Sequence, residues 1–410
     1  MNIVERLYQR IETYHDTIIE WQKNLVAIKA LAPESGGDGE LEKANYVRQI
    51  LQDIGFDEVQ EINAPDERVS AKIRPNILAK IYGEQRHRTV WVLSHLDVVP
   101  EGDLKDWHSD PFKLVVNGDK LIGRGVEDNH QGLVCGLLAA KALREEGVTP
   151  VTNIGLAIVA DEENGSTYGL EYVLKHHREQ FKENDLIIVP DAGDPEGRTI
   201  EVSEKSILWI KFVIKGKQCH ASTPQFGVNA HRAAAHLVVE LDKLYNFYPL
   251  RDETYDTPWS TFEPTKKQTN VPNINTIPAQ DVFYYDCRVL PNYDLADVEK
   301  AVLDIVGSIR EKYGVGIEVS YPQRVQAAPP TASDAPVVQA LAAAIRAVKK
   351  VDPKIIGIGG GTVAALFRHQ NLPAIVWGTI ADTCHQPDEY ALLSNIIVDA
   401  KILAFVFSKT

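Results

Sequence analysis

The chain has 410 residues, 44% apolar and 24% charged, with 27 Gly and 22 Pro. This ordinary globular composition has room for two or three domains at about 100–200 residues each, and it excludes collagen, coiled coil and wholesale disorder. With 43 basic against 57 acidic residues the net charge is −14, which disfavours nucleic acid and anionic membranes as partners; basic runs are short, as in Lys266-Lys267 and Lys349-Lys350. No stretch approaches the roughly 18 apolar residues of a membrane span. The start, MNIVERLYQRIETYHD, is too charged for a secretory signal. Four scattered cysteines (Cys135, Cys219, Cys287, Cys384) are too few for a disulfide framework. A soluble, cytoplasmic protein is expected.

In chain order, Ile3, Leu7, Ile11, Ile18 and Leu25 recur at helical spacing over residues 3–30. A helix over 40–54 follows and stops at Gly55. Short apolar runs rich in β-branched residues then occupy 76–82, 89–97, 153–161, 185–191 and 373–378, with helical stretches at 130–146 and 167–180. Runs this apolar read as strands buried on both faces, as parallel strands are. The alternation predicts an α/β fold whose mixed, mostly parallel sheet is covered by helices on both sides. After residue 205 the pattern changes. A strand at 206–216, a helix at 229–245, strands near 273–290, a helix at 294–313 and a strand at 315–321 give a βαββαβ order, the ferredoxin-like plan. The expected organisation is a catalytic domain from 1–205 and 323–410, with a domain inserted at 206–322.

Ligands of open α/β sheets lie beyond the carboxyl ends of the strands. There the sequence places His95 and Asp97, then Asp161-Glu162-Glu163, then Asp191; His385 follows the last strand, and Asp128 precedes the helix at 130. Several carboxylates in one cleft repel one another, and divalent cations relieve that conflict. Imidazole with carboxylate suits zinc, with cobalt or manganese as alternatives. Three ligand carboxylates, two dications and one bridging hydroxide sum to a neutral centre. Such a pair, about 3.5–4 Å apart, polarises a carbonyl and generates hydroxide near neutral pH.

Ser94-His95-Leu96-Asp97-Val98-Val99-Pro100, Gly123-Arg124-Gly125-Val126-Glu127-Asp128 and Asp161-Glu162-Glu163-Asn164-Gly165 resemble motifs of the M20 metallopeptidases. So do Gly216-Lys217-Gln218-Cys219-His220-Ala221-Ser222, Asn275-Thr276-Ile277-Pro278, Asp286-Cys287-Arg288, Gly360-Gly361-Thr362 and His385-Gln386-Pro387-Asp388-Glu389, in the family's order over nearly the whole chain. This family of co-catalytic zinc hydrolases includes dipeptidases, acetylornithine deacetylase and succinyl-diaminopimelate desuccinylase. The resemblance implies that Asp128 bridges two divalent ions, with His95 and Asp191 completing one site and Glu163 and His385 the other. It implies Asp97 as the acid that orients His95 and Glu162 as general base. His220, on the inserted domain, would hold the oxyanion, and in family dimers the matching His reaches the partner's active site. Arg288, Asn275 and the Gly360, Gly361 and Thr362 loop would contact substrate. The inserted domain would then be a lid that also forms a homodimer, and the Asp128–Asn129 peptide bond would be cis.

Two departures fall where substrates are sorted. Many members continue Lys-Gly after the bridging Asp, and here Asn129-His130-Gln131-Gly132 stands. An acid often follows the Thr of the glycine-rich loop, and here it is Val363. Asp191, at a position that varies between Asp and Glu, leans slightly toward peptidases. The substrate reading is therefore a small peptide or an N-acyl amino acid, with a desuccinylase- or deacetylase-type deacylase as the alternative. A cysteine hydrolase built on Cys219-His220 or Cys384-His385 is disfavoured, because adjacent residues point apart. A non-catalytic metal-binding scaffold is disfavoured by the retention of Glu162. His130 should be turned aside by the helix that starts there.

Overall fold

Successive side chains of a strand point to opposite faces. In the strand Gln85–His95, Val90 and Val92 join one apolar layer while Trp91 and Leu93 join another. Both faces need cover, and helices supply it. The computed structural model describes residues 2–410. The chain divides into two compact units: Met1–Val202 with Thr331–Ile355 and Thr362–Thr410, and Ser203–Pro330 with Ile356–Gly361.

The large sheet runs Glu58–Pro65, Ile73–Ile81, Thr152–Val159, Gln85–His95, Leu186–Val189, Ala374–Val376, Thr199–Glu204, Lys354–Ile358. The central strands from Thr152–Val159 to Ala374–Val376 are parallel. Antiparallel neighbours flank them on both sides. Ile73–Ile81 is as buried as a parallel strand but pairs antiparallel with both neighbours; its burial comes from cover on two faces, not from strand direction. One face packs on the helices Ile3–Glu12, His15–Ala27, Leu41–Ile54, His130–Glu145, Pro336–Lys349 and Leu393–Lys409. The other packs on Leu170–His176 and Ala364–His369.

Several predicted spans are corrected. The stretch 3–30 is two helices, the first capped at Thr13, and 167–180 is helical only over Leu170–His176 before a 3-10 turn. The helix Leu393–Lys409 goes unread in the sequence because it is buried around most of its circumference, so no polar stripe marks its period.

In the second unit a four-stranded antiparallel sheet runs Thr261–Lys267, Gln280–Val289, Ser206–Lys215, Gly316–Val325. The helices Ala230–Leu241 and Leu295–Tyr313 share its apolar cluster. The order is βαββαβ, but its second strand is Thr261–Lys267 rather than part of 273–290. That strand lies at a sheet edge and carries Pro264, Lys266 and Lys267, residues that guard edges and hide the alternation a buried strand shows. Among the described residues no helix is long and apolar enough to cross a membrane.

Candidate metal centre

Five chain segments of the first unit deliver polar side chains to the carboxyl edge of the parallel strands. Gln85–His95 ends at His95, and Thr152–Val159, paired with it in register, runs on to Glu162 and Glu163. Leu186–Val189 runs on to Asp191, and Ala374–Val376 leads to the loop bearing His385. Asp128 stands just ahead of the helix His130–Glu145, and the Asp128–Asn129 peptide bond is cis.

Asp128 lies between the two imidazoles. One of its oxygens is 2.9 Å from His95 Nε2, and the other is 3.1 Å from His385 Nε2. His95 Nε2 is also 3.3 Å from Asp191, and His385 Nε2 is 3.1 Å from Glu163. His95, Glu162 and Asp191 form one cluster of potential donors, and His95, Asp128 and Glu163 another. The sequence-predicted residues Asp97, His95, Asp128, Glu162, Glu163, Asp191 and His385 are thus brought together.

The charges are those of a site built for cations. Hydrogen bonds donated to the Asp128 and Glu163 carboxylates push the His385 imidazolium up to about 10. Burial opposes a charge on His95, but Asp191 and Asp128 outweigh it and raise its pKa well above the usual value. Burial, then the Asp191 charge, raises the Glu162 carboxyl well above the carboxylate range; burial also raises Glu163. Glu163 Oε1 is buried without a hydrogen-bond partner, an acceptor that a cation would satisfy. Two imidazoles among these carboxylates form a donor set that fits divalent ions with N/O preference.

Asp97 does more than the sequence suggests. Its carbonyl oxygen accepts at 3.0 Å from His95 Nδ1, and its carboxylate lies 3.5 Å from the same nitrogen. The two carboxylate oxygens accept the backbone N–H groups of Glu162 and Glu163, each at 3.1 Å. One residue therefore orients an imidazole, chiefly through its carbonyl, and the acidic loop through its carboxylate. Asp161 turns away: at φ 60° it meets the buried Arg74, and it accepts from Tyr168 N at 3.0 Å. Asn129 Nδ2 donates to Asp191 at 2.7 Å.

Sequence reasoning missed Lys43. It is wholly buried, burial lowers its pKa to about 7, and its Nζ lies 2.8 Å from His130 Nε2. A lysine on the inner face of the predicted helix 40–54 was the available signal. The Nε2 of His130 is turned to Lys43, its Nδ1 is buried without a hydrogen-bond partner, and neither donor cluster includes it. Glu127 and Glu389 were seen only as motif members, and their partners lie too far along the chain to be read from spacing.

The remaining predicted residues belong to the second unit, apart from Thr362 in the first. His220 is exposed, pairs with Thr276 across a two-residue ladder, and neighbours Asn275, whose carbonyl accepts from Ala221 N at 2.8 Å. Arg288 is gripped by Asp286 at 2.7 and 3.1 Å and donates to Gly359 O at 2.8 Å, beside Gly360 and Gly361. Burial pushes the Cys384 thiol up to about 12, which leaves almost no thiolate for nucleophilic attack at neutral pH.

The sequence profile described as peptidase family M20/M25/M40 matches residues 91–409. An uncharacterized metallohydrolase of Methanococcus maripaludis is 39% identical over 408 residues, spanning 94% of this chain and 97% of that protein. A succinyl-diaminopimelate desuccinylase of Rickettsia bellii is 26% identical over 377 residues, spanning 91% and 92%. The crystal structure of human carnosine dipeptidase 1 shares the fold, with a TM-score of 0.75 at 20% identity over 99% of this chain and 98% of that one. The family carries divalent metal, and the clustered donors of the first unit fit it: the chain belongs to peptidase family M20/M25/M40 and is a metal-dependent hydrolase of amide bonds.

Proposed function

We propose that the protein hydrolyses an amide bond in small peptides at a centre of two divalent ions, zinc in the first instance. The observation that carries this reading is the placement of Asp128, with one oxygen on His95 and the other on His385. Each imidazole has a further carboxylate, Asp191 for His95 and Glu163 for His385. That is one shared ligand and two private ones for each of two ions. When bound, the ions supply an electrophile for the scissile carbonyl and acidify a water to near neutrality.

The chain's own residues do the rest. Glu162 takes a proton from the attacking water on a carboxylate oxygen and passes it to the leaving amine. Asp97 holds the Glu162 backbone and so fixes where that carboxylate begins. His220 Nδ1 accepts from Ser222 N at 3.2 Å, so the ring proton belongs on Nε2, where it can be donated to an oxyanion. Arg288, already oriented by Asp286, offers its remaining N–H groups to a substrate carboxylate, with Asn275 and the Gly360, Gly361 and Thr362 loop as further contacts. The second unit serves as lid and homodimerisation domain; sedimentation showing only monomer would contradict the latter.

An N-acyl-amino-acid deacylase is the second reading, favoured by the desuccinylase likeness over 91% of the chain. A panel of dipeptides, N-acetyl and N-succinyl amino acids separates the two. It should be run on metal-stripped protein restored with zinc, cobalt or manganese. Peptides should turn over and chelation should abolish the activity, while thiol alkylation should leave it intact. Turnover confined to N-succinyl or N-acetyl substrates would reverse the order of the two readings.

A further inference from the structure

Two buried acids tie the loop that carries Asp128 to the loop that carries His385. Glu389, in the His385 loop and fully buried, accepts from the backbone N–H groups of Gly125 at 3.0 Å, Glu127 at 3.0 Å and Asp128 at 3.1 Å. It also accepts from the Arg124 guanidinium at 2.6 Å. Its carboxylate is therefore the seat on which the Asp128 backbone rests. Glu127, directly before Asp128 and 5% exposed, does the converse. It accepts from Ala381 N, from Thr383 N at 2.6 Å and from Thr383 Oγ1 at 2.9 Å. Those groups belong to the turn that runs into His385.

Each loop thus contributes the acid that grips the other loop's backbone. A single grip fixes a distance and leaves rotation free, whereas two grips at different points on each loop fix both. The donors are mostly backbone N–H groups, which have no rotamers to lose. The gripped loop needs such restraint: Asp382 and His385 hold φ of 61° and 63°. For a histidine that left-handed conformation is strained unless its surroundings impose it. On the other loop, Gly125 at φ 85° lies so close to His130 that a Cβ would come within 2.8 Å of the ring.

We infer that Glu127 and Glu389 are positioning residues that set the separation of Asp128 from His385, and so govern the affinity of the cation those two residues hold. This rests on the two-ion reading. Glu127 acts on the His385 side alone, because the other ion's private ligands have their own supports: Asp97 for His95 and Asn129 for Asp191. Glu389 acts on Asp128 and hence on both ions.

The test is a cobalt(II) titration of the metal-stripped full-length protein, followed by calorimetry and the visible d–d spectrum. Glu389→Ala strands Arg124 in the interior and risks misfolding, so Glu127→Ala and the milder Glu127→Gln are the primary variants. Each should weaken one of two cobalt steps, Glu127→Ala by about 10–100-fold and Glu127→Gln by less. The other step should stay within about threefold, although the metal-free Glu127→Ala protein melts lower because the N–H groups of Ala381 and Thr383 lose their acceptor. Two unaltered steps in both variants would overturn the inference. So would equal weakening of both steps, which is what a merely structural role produces. A single cobalt step in the unaltered protein would instead overturn the two-ion reading, and the selectivity inferred here with it.

Discussion

In the first unit His95, Asp97 and Glu389 are almost wholly buried, and each is held by several partners from distant parts of the chain. In the second unit His220 and Asn275 are exposed, and beside Asn275 even the apolar Ile274 is fully open to solvent. His220 is fixed locally, by Ser222 and a two-residue strand pair. Metal ligands must stand ready as a group before the ion arrives, because mutually repelling carboxylates would otherwise spread apart. Residues that meet substrate need only be ordered when substrate binds. Substitutions in the first region should therefore act on chemistry and metal retention, and those in the second on transition-state contacts and KM.

The largest effect short of removing the metal belongs to Glu162. Glu162→Gln should lower kcat by about 10²–10⁴-fold with metal content unchanged by atomic emission; a rate within threefold of the parent would remove it as the base. His220→Ala should cost about 10²–10³-fold in kcat, again without metal loss. If instead it released metal, the contrast between the two regions would fail.

The comparison also explains what could be read from the chain alone. His95, Glu162, Glu163 and Asp191 are legible because each stands at the end of an apolar strand, where chain order and spatial position coincide. Glu127 and Glu389 are not, because each acquires its role from partners more than two hundred residues away. Lys43 was hidden in the same way, its meaning supplied by His130 across 87 residues. The edge strand Thr261–Lys267 and the helix Leu393–Lys409 escaped for opposite reasons, one too polar to show a buried face and the other too apolar to show an exposed one.

Metal uptake should depend on pH with a defined sign. In the metal-free protein neighbouring carboxylates raise the pKa of both His95 and His385, the latter to about 10. Both imidazoles therefore carry protons at neutral pH and must release them to bind metal. Apparent affinity should fall as pH drops below about 10, by about tenfold per unit for each proton displaced. Calorimetry in buffers of differing ionisation enthalpy would count those protons, and uptake without proton release would contradict the assignment. The smallest effect is expected at Arg288. Arg288→Lys, which cannot keep the two-point contact with Asp286, should raise KM about tenfold for substrates with a free carboxylate and little for their amides. An equal rise for both would mean that Arg288 does not read that group.

The most direct test of the account is anomalous scattering from crystals of protein loaded with zinc. Two peaks about 3.5–4 Å apart should flank Asp128, one against His95 and Asp191 and the other against His385 and Glu163. A single peak, or two that do not share Asp128, would contradict it.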